Sequence, residues 1–357
     1  MKKAIVAVPY LSGKGGTETV IKNFYDAVVA NDSEIEWKLI SFGGSKYSDW
    51  MKNWRKRVYS FSNKRILQLG AYAIVMPALI RKVIKHEKPD YFIATNPIIW
   101  NWAVKYKLKY SPSTKIIAWY HYSYKMKKVN SKYLKNVDKF WAISSGIKEE
   151  LEDLGVPSEK IDIIFNPINL ENVPLVKRSK THNHFIYIGR IDYDGQKNVS
   201  ELMKALNLLK EDYKLELYGA ADPDIKNKLL NLIDDKNKKD NIIFHGFSTN
   251  VWEKIKEADA LLLTSKYEGL PMVLCEAASR GIPLIAADCP TGVKDIVTKD
   301  NGFLYNEGNE TELYKILMNI NRSDILPSQM SVSKSIRKFN YKNYNDKINS
   351  SLRGNRG

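Results

Sequence analysis

Short apolar runs alternate along this chain with longer segments in which apolar residues recur every three or four positions. Ala4–Val8, Ile35–Ser41, Tyr91–Thr95, Lys115–Tyr120, Val137–Ile143 and Ile161–Phe165 have the length and apolar content of strands. Between them lie stretches of helical period. In Thr19–Val29, Val20, Phe24, Ala27 and Val28 share a face, and the same spacing predicts helices over Leu67–His86, Ile98–Leu108 and Ser144–Leu154, the last capped by Ser145. Strand–helix alternation of this kind predicts a parallel sheet covered by helices. The polar, lysine-rich stretch Pro174–Asn183 breaks the series as a linker would. A second series starts at His184, with strands predicted at Phe185–Ile188, Leu215–Tyr218, Ile242–His245, Ala260–Leu263 and Pro283–Ala287. The fold class is therefore α/β, with two successive doubly wound βα domains and a ligand crevice expected between them. The expected boundaries are residues 1–170, a linker over 171–183, a second domain over 184–327 and a basic amphipathic tail over 328–357.

Length and composition agree with two soluble domains. The chain has 357 residues, of which 44% are hydrophobic. No apolar run approaches the roughly 18–20 residues that cross a bilayer, and Ala4–Val8 is too short for a secretory core. A cytoplasmic protein is expected, with Cys275 and Cys289 as small, reduced core residues. Charge changes the picture more. The net formal charge is +16, and residues 1–165 alone carry 28 Lys and Arg against 15 Asp and Glu, or +13. Such a field suits a membrane surface with acidic lipids, a lipid-linked phosphate or nucleic acid, unless it reflects lysine-rich composition alone. The basic, aromatic segment Gly43–Arg65, with Trp50, Trp54 and Arg57, reads either as an interfacial surface or as a loop whose rings pack inward.

The candidate chemistry gathers around Glu268 and Glu276. The strand Ala260–Leu263 leads into the turn Glu268-Gly269-Leu270, and Pro271 suits the first position of a helix carrying Glu276. The unpaired amides at such a helix start, with the positive end of its dipole, form an anion site. Carboxylates do not face phosphate usefully, so the amides suit phosphate and the two glutamates suit sugar hydroxyls. Arg190, directly after a strand, and Lys197, opening the next helix, are the cations for a diphosphate. Asp192-Tyr193-Asp194 offers oxygen ligands for a divalent ion, Asp222-Pro223-Asp224 reads as a turn and cap, and no His/Cys cluster suggests zinc. In the first half, Gly15-Gly16 permits close approach of a ligand at a helix start, although the loop has no P-loop or dinucleotide spacing. His121 ends a parallel strand and so points into a crevice of the first sheet.

Glu268 with Glu276, Gly189-Arg190 with Lys197-Asn198, and Gly281-Ile282-Pro283 resemble the retaining glycosyltransferase family 4, of GT-B fold. Gly15-Gly16, His121, Ala142 to Lys148 and Asn166-Pro167 extend the resemblance over nearly the whole chain. Gly15 to Ile21, with Ala142 to Lys148, is similar to lipopolysaccharide-core galactosyltransferases. The resemblance implies that Arg190 and Lys197 bind the donor diphosphate and that Glu276 holds the ribose. It implies that Glu268 and the backbone stretch of Gly269, Leu270, Pro271 and Met272 hold the donor sugar, that Gly246-Phe247 meets the base, and that His121 lies near the reacting sugar. Many relatives carry aromatic-Gly where this chain has Leu270-Pro271. The implied reaction is metal-independent, retaining transfer of a hexose from a UDP-sugar, without cofactor, to a lipid-linked or saccharide acceptor. The implied place is the cytoplasm, on the inner face of the membrane, with the tail crossing back to the first domain. An epimerase or phosphorylase on the same scaffold is a second reading. A basic nucleic-acid-binding protein is a third, against which stand diffuse lysines and no reader motif.

Overall fold

The computed structural model describes residues 1–61, 65–179, 183–322 and 325–353. It divides into two units, Met1–Asn169 with Phe339–Gly357, and Leu170–Lys338. Part of the tail therefore belongs to the first unit.

In the first unit, β1 (Lys2–Val8), β2 (Ile35–Gly43), β3 (Lys56–Ser60), β4 (Tyr91–Ala94), β5 (Lys115–Ala118), β6 (Lys139–Ala142) and β7 (Ile161–Ile163) form a seven-stranded sheet. Its order is β3-β2-β1-β4-β5-β6-β7, and every pairing is parallel. Sequence order reverses between β1 and β4, which is the position at which an open α/β sheet accepts a ligand. Helix Gly16–Ala27 covers one face through Val20, Ile21 and Phe24. Phe24 is the hub of an aromatic core, with ring centroids 5.2 Å from Trp37, 5.1 Å from Trp119 and 6.1 Å from Trp141. Tyr344, 6.1 Å from the same ring, belongs to the tail helix Tyr341–Arg353, which also buries Ile348 and Leu352. Polar bonds fix that helix: Trp141 Nε1 donates to Ser351 Oγ at 2.8 Å and Tyr91 Oη to the Leu352 carbonyl at 2.6 Å.

In the second unit, β8 (His184–Ile188), β9 (Lys214–Tyr218), β10 (Ile242–Gly246), β11 (Ala260–Leu263), β12 (Leu284–Asp288) and β13 (Gly302–Asn306) form a six-stranded parallel sheet, ordered β10-β9-β8-β11-β12-β13. The order reverses between β8 and β11. Its core includes Leu202, Leu206, Leu215, Leu217, Leu262 and Leu317.

Several expectations shift in detail. Strands β3 and β13 escape a search for apolar runs, because β3 is an exposed edge reading Lys-Arg-Val-Tyr-Ser and β13 opens on Gly302. Ser144, not Ser145, caps helix Ser145–Asp153, accepting the Ile147 amide at 3.2 Å. Of the two readings of the segment around Trp50 and Trp54, the structure has the inward-packing one. Both rings are buried, and Trp54 stacks 6.2 Å from Phe24; residues 62–64 lie outside the described residues. In the expected linker, Val176 is buried and its amide donates to the Arg280 carbonyl at 3.0 Å, so this stretch is bound to the second unit; residues 180–182 lie outside the described ones. The division between units falls at Lys338/Phe339 instead of at 328, because helix Gln329–Ser335 packs against helix Met272–Ser279.

Candidate functional site

The second unit brings its candidate residues together at the carboxyl ends of β8 and β11, where the sheet order reverses. After β11, the chain turns through Glu268 and Gly269 into helix Met272–Ser279. Pro271 is the N-cap of that helix and not its first residue; its ψ of 95° is extended, and no side chain caps the helix start. The first amides therefore keep the donor capacity that a helix end leaves open. Lys197 reaches this turn from the loop after β8, and its Nζ meets Glu268 Oε1 at 2.6 Å, with both side chains largely buried. Backbone and side-chain bonds stitch the two loops together. Thr264 Oγ1 donates to the Lys197 carbonyl at 2.9 Å, the Lys266 amide to the Gln196 carbonyl at 2.8 Å, and Gln196 Nε2 to the Tyr267 carbonyl at 3.0 Å.

Asp192 organises the first of these loops. Its carboxylate accepts the amides of Lys197, at 3.1 Å, and Asn198, at 2.9 Å, and lies 3.6 Å from the Arg190 guanidinium. Asn198 adopts left-handed backbone (φ 48°), which turns the chain sharply into helix Val199–Leu208. With its oxygens committed to amides, Asp192 acts as the cap of this loop; Asp194 accepts Ser200 Oγ at 2.5 Å. Among the described residues no cluster of three or more His, Cys, Asp or Glu is placed to hold a metal ion. The Arg190 side chain is 65% exposed.

Glu276 lies on helix Met272–Ser279. Trp252 Nε1 donates to its Oε2 at 2.9 Å, and Arg280 lies with its guanidinium 4.4 Å over the Trp252 ring. Burial raises the Glu276 carboxyl above the ordinary carboxylate range, opposed by the Trp252 bond and the Arg280 charge. Gly189, Gly219 and Gly246 follow one another along the ends of β8, β9 and β10. A Cβ at Gly219 would collide with the Gly189 carbonyl, so the backbone here is as close-packed as glycine permits. Beyond Gly246 (φ 72°), Phe247 is half exposed.

In the first unit, His121 follows β5 and is buried against Trp119, ring centroids 4.6 Å apart. Neither ring nitrogen has a hydrogen-bond partner. Burial pulls its pKa down to about 3, so the imidazole is neutral at physiological pH. Gly15 is the N-cap of helix Gly16–Ala27, and Gly16 its first residue. Glu18 folds back over that start, accepting the Gly13 amide at 2.7 Å and Ser12 Oγ at 3.2 Å. A carboxylate of the protein itself thus occupies the part of this helix start nearest Gly13, a feature that glycine spacing does not reveal.

No sequence pattern singles out Trp252, Arg280, Thr264 or Thr291. Thr291 carries the clearest signal of strain. A β-branched residue at φ 114° is a genuine outlier. Its hydroxyl donates to the Glu268 and Gly269 carbonyls, and a Cβ at Gly292 would collide with the Gly269 carbonyl. The motif Pro290-Thr291-Gly292 marks a turn, but nothing in it says which loop the turn supports.

Comparison with known proteins follows the same division. Residues 14–172 match the family model described as Glycosyltransferase Family 4, and residues 172–338 the model described as Glycosyl transferases group 1. The chain is 32% identical over 345 residues to the lipopolysaccharide 1,6-galactosyltransferase of Escherichia coli (strain K12), covering 95% of this chain and 94% of the relative. It is 30% identical to the enzyme of the same name from Salmonella typhimurium, covering 96% and 97%. Among solved structures, the apo form of the lipopolysaccharide outer core galactosyltransferase WaaB superposes with a TM-score of 0.85 at 28% identity, covering 98% of this chain and 99% of that one. Anabaena HepE in complex with UDP shares the fold, with a TM-score of 0.79 at 18% identity over 99% of both chains.

Proposed function

Because the chain belongs to the group 1 glycosyl transferases (glycosyltransferase family 4), we propose that it transfers a hexose from a UDP-sugar to a lipid-linked or saccharide acceptor in cell-surface polysaccharide synthesis. The hexose is galactose, glucose or N-acetylglucosamine. The two lipopolysaccharide galactosyltransferases matched over nearly their full length favour galactose.

The observation that carries the reading is the meeting of Lys197 with Glu268 beside an uncapped helix start, with Glu276 further along that helix. Lys197 and Arg190 neutralise the diphosphate, and the amides of Gly269, Leu270 and Met272 offer donors to the phosphate and sugar oxygens. Charge on the departing diphosphate is what the transition state needs stabilised, and preorganised cations and amides do this without reorganising. Glu276 accepts the ribose hydroxyls through the carboxylate that Trp252 orients, and Glu268 accepts sugar hydroxyls. Phe247 lies at the edge that takes the base. Neutral His121 offers a hydrogen bond to a hydroxyl of the transferred sugar and carries no charge to repel a developing oxocarbenium ion.

Neither glutamate serves as nucleophile in this reading. The acceptor hydroxyl attacks from the face that the diphosphate leaves, a phosphate oxygen takes the proton, and configuration is retained without a metal. Calorimetry with UDP tests the site: Glu276→Ala and Arg190→Ala are expected to lose UDP binding while melting like the wild type. Undiminished affinity in both variants would remove the assignment.

A further inference from the structure

Helices Arg65–Glu87 and Pro97–Tyr110 of the first unit share an outward face of unusual composition. On the first helix, Ile74 is 78% exposed, followed about two and three turns later by exposed Arg81 and Lys85. On the second, Ile98 is 43% and Leu108 66% exposed, between and beside exposed Lys105 and Lys109. The spacings Ile74, Ala78, Arg81, Lys85 and Ile98, Trp102, Lys105, Lys109 each follow one side of a helix. Aromatic rings join the two rows. Trp102 stacks on Tyr106 at 5.6 Å, Tyr106 lies 6.4 Å from Tyr110, and the Arg81 guanidinium lies 5.4 Å from the Tyr110 ring. Lys105 Nζ covers the Trp102 ring at 4.4 Å. No Asp or Glu occurs from Ile74 to His86 or from Pro97 to Tyr110, and Glu87, the last residue of the first helix, pairs with Lys38 at 2.6 Å and Arg57 at 3.1 Å.

A helix that only covers a sheet turns polar residues of both signs to water. Here aliphatic side chains protrude, tryptophan and tyrosine lie between them, and the charges are all positive. That is the combination that an acidic bilayer surface accepts: aliphatics enter the acyl boundary, rings occupy the headgroup level, and Lys and Arg meet anionic lipid. Nucleic acid would use the cations but would leave Ile74 and Leu108 without a partner. Ile98 is the second residue of a helix that starts just after β4, at the sheet edge where His121 follows β5. Contact there brings the edge bearing His121 toward the bilayer.

We propose that this two-helix face docks the first unit on a membrane rich in acidic lipid, where a lipid-linked acceptor resides. The proposal rests on the reading of a lipid-linked acceptor and names the surface it requires. Its test is flotation with vesicles of phosphatidylcholine alone and of phosphatidylcholine doped with phosphatidylglycerol, at low salt. Wild type is expected to float only with the anionic vesicles. Two variants, Ile74→Ser with Ile98→Ser and Leu108→Ser, and Arg81→Glu with Lys85→Glu, Lys105→Glu and Lys109→Glu, are expected to lose roughly tenfold or more in vesicle partition. Their melting temperature and UDP affinity are expected to stay at the wild-type value. Variants that float like wild type would overturn this surface and leave the membrane reading standing. Wild type that stays behind with anionic vesicles would overturn both, while calorimetry with UDP judges the donor site separately.

Discussion

Trp252 holds Glu276 by one carboxylate oxygen, and the sequence offered no hint that these two residues touch. Trp252→Phe keeps the ring and removes the donor. A hydrogen bond to a charged group contributes about 1.5–3 kcal/mol, so UDP-sugar affinity is expected to fall by roughly tenfold to a hundredfold, with kcat at saturation little changed. The pH dependence carries the sign of the shift. Burial raises the Glu276 carboxyl, so it protonates at a higher pH than an ordinary carboxylate. Donor affinity is then expected to weaken as pH falls through that raised pKa, and to do so at still higher pH in Trp252→Phe, where the bond that favours the anion is gone. Identical pH profiles for the two proteins would count against an orienting role for Trp252. His121 makes the converse prediction about stability. Its folded pKa, about 3, lies below the ordinary value near 6.5, so it takes up a proton on unfolding. The stability tied to keeping it neutral is complete above about pH 6.5 and lost as pH falls from there toward 3. His121→Phe is expected to flatten that part of the melting-temperature profile and to lower transfer by about a hundredfold if the imidazole bonds the sugar.

Among elements, the loops at the carboxyl ends of β8 and β11 do the positioning. Apolar runs located both strands, and the turn at Glu268 located the helix start to within one residue. What the runs did not convey is how the loop around Asp192 binds the loop around Lys266, or how Thr291 supports Gly269. Those bonds join residues far apart in sequence, and their donors are ordinary polar side chains that no local pattern singles out. Gly292→Ala tests the support. A methyl group there collides with the Gly269 carbonyl, so the donor turn must shift. Weaker UDP binding is expected together with a lower melting temperature, both measurable by thermal shift with and without UDP. Strands β3 and β13 show the opposite limit: an exposed edge strand and one that begins on glycine have no apolar signature to find.

For the molecule as a whole, the tail is the long-range tie. Tyr344, Ile348 and Leu352 are buried in the first unit although more than 170 residues separate them from Phe165. Fully burying one such aliphatic or aromatic side chain contributes about 1.5–3 kcal/mol, which makes the tail helix worth a large share of a domain's stability. Ile348→Ala is expected to cost about 2–5 kcal/mol, read as a lower denaturant midpoint for the first unit. Removal of residues 341–357 is expected to leave that unit poorly folded. An unchanged midpoint in Ile348→Ala would contradict the packing described.

The sequence by itself determined the architecture. Two series of buried parallel strands, each followed by helices, follow from hydrophobic period, because a parallel sheet covered on both faces must be apolar along its length. It also determined which residues could carry the chemistry, since Arg190, Lys197 and Glu268 stand in the loops after strand ends and Glu276 on the helix that the Glu268 turn opens. Only the tertiary structure decided which of them meet. It paired Lys197 with Glu268, gave Glu276 a tryptophan partner, spent Asp192 on backbone amides and folded Glu18 over the start beside Gly15 and Gly16. It also turned Trp50 and Trp54 inward and left Ile74, Ile98 and Leu108 outside. The reason is common to all of these: period records how much of an element is buried, whereas the partner of a side chain depends on loops and helices that arrive from elsewhere in the chain.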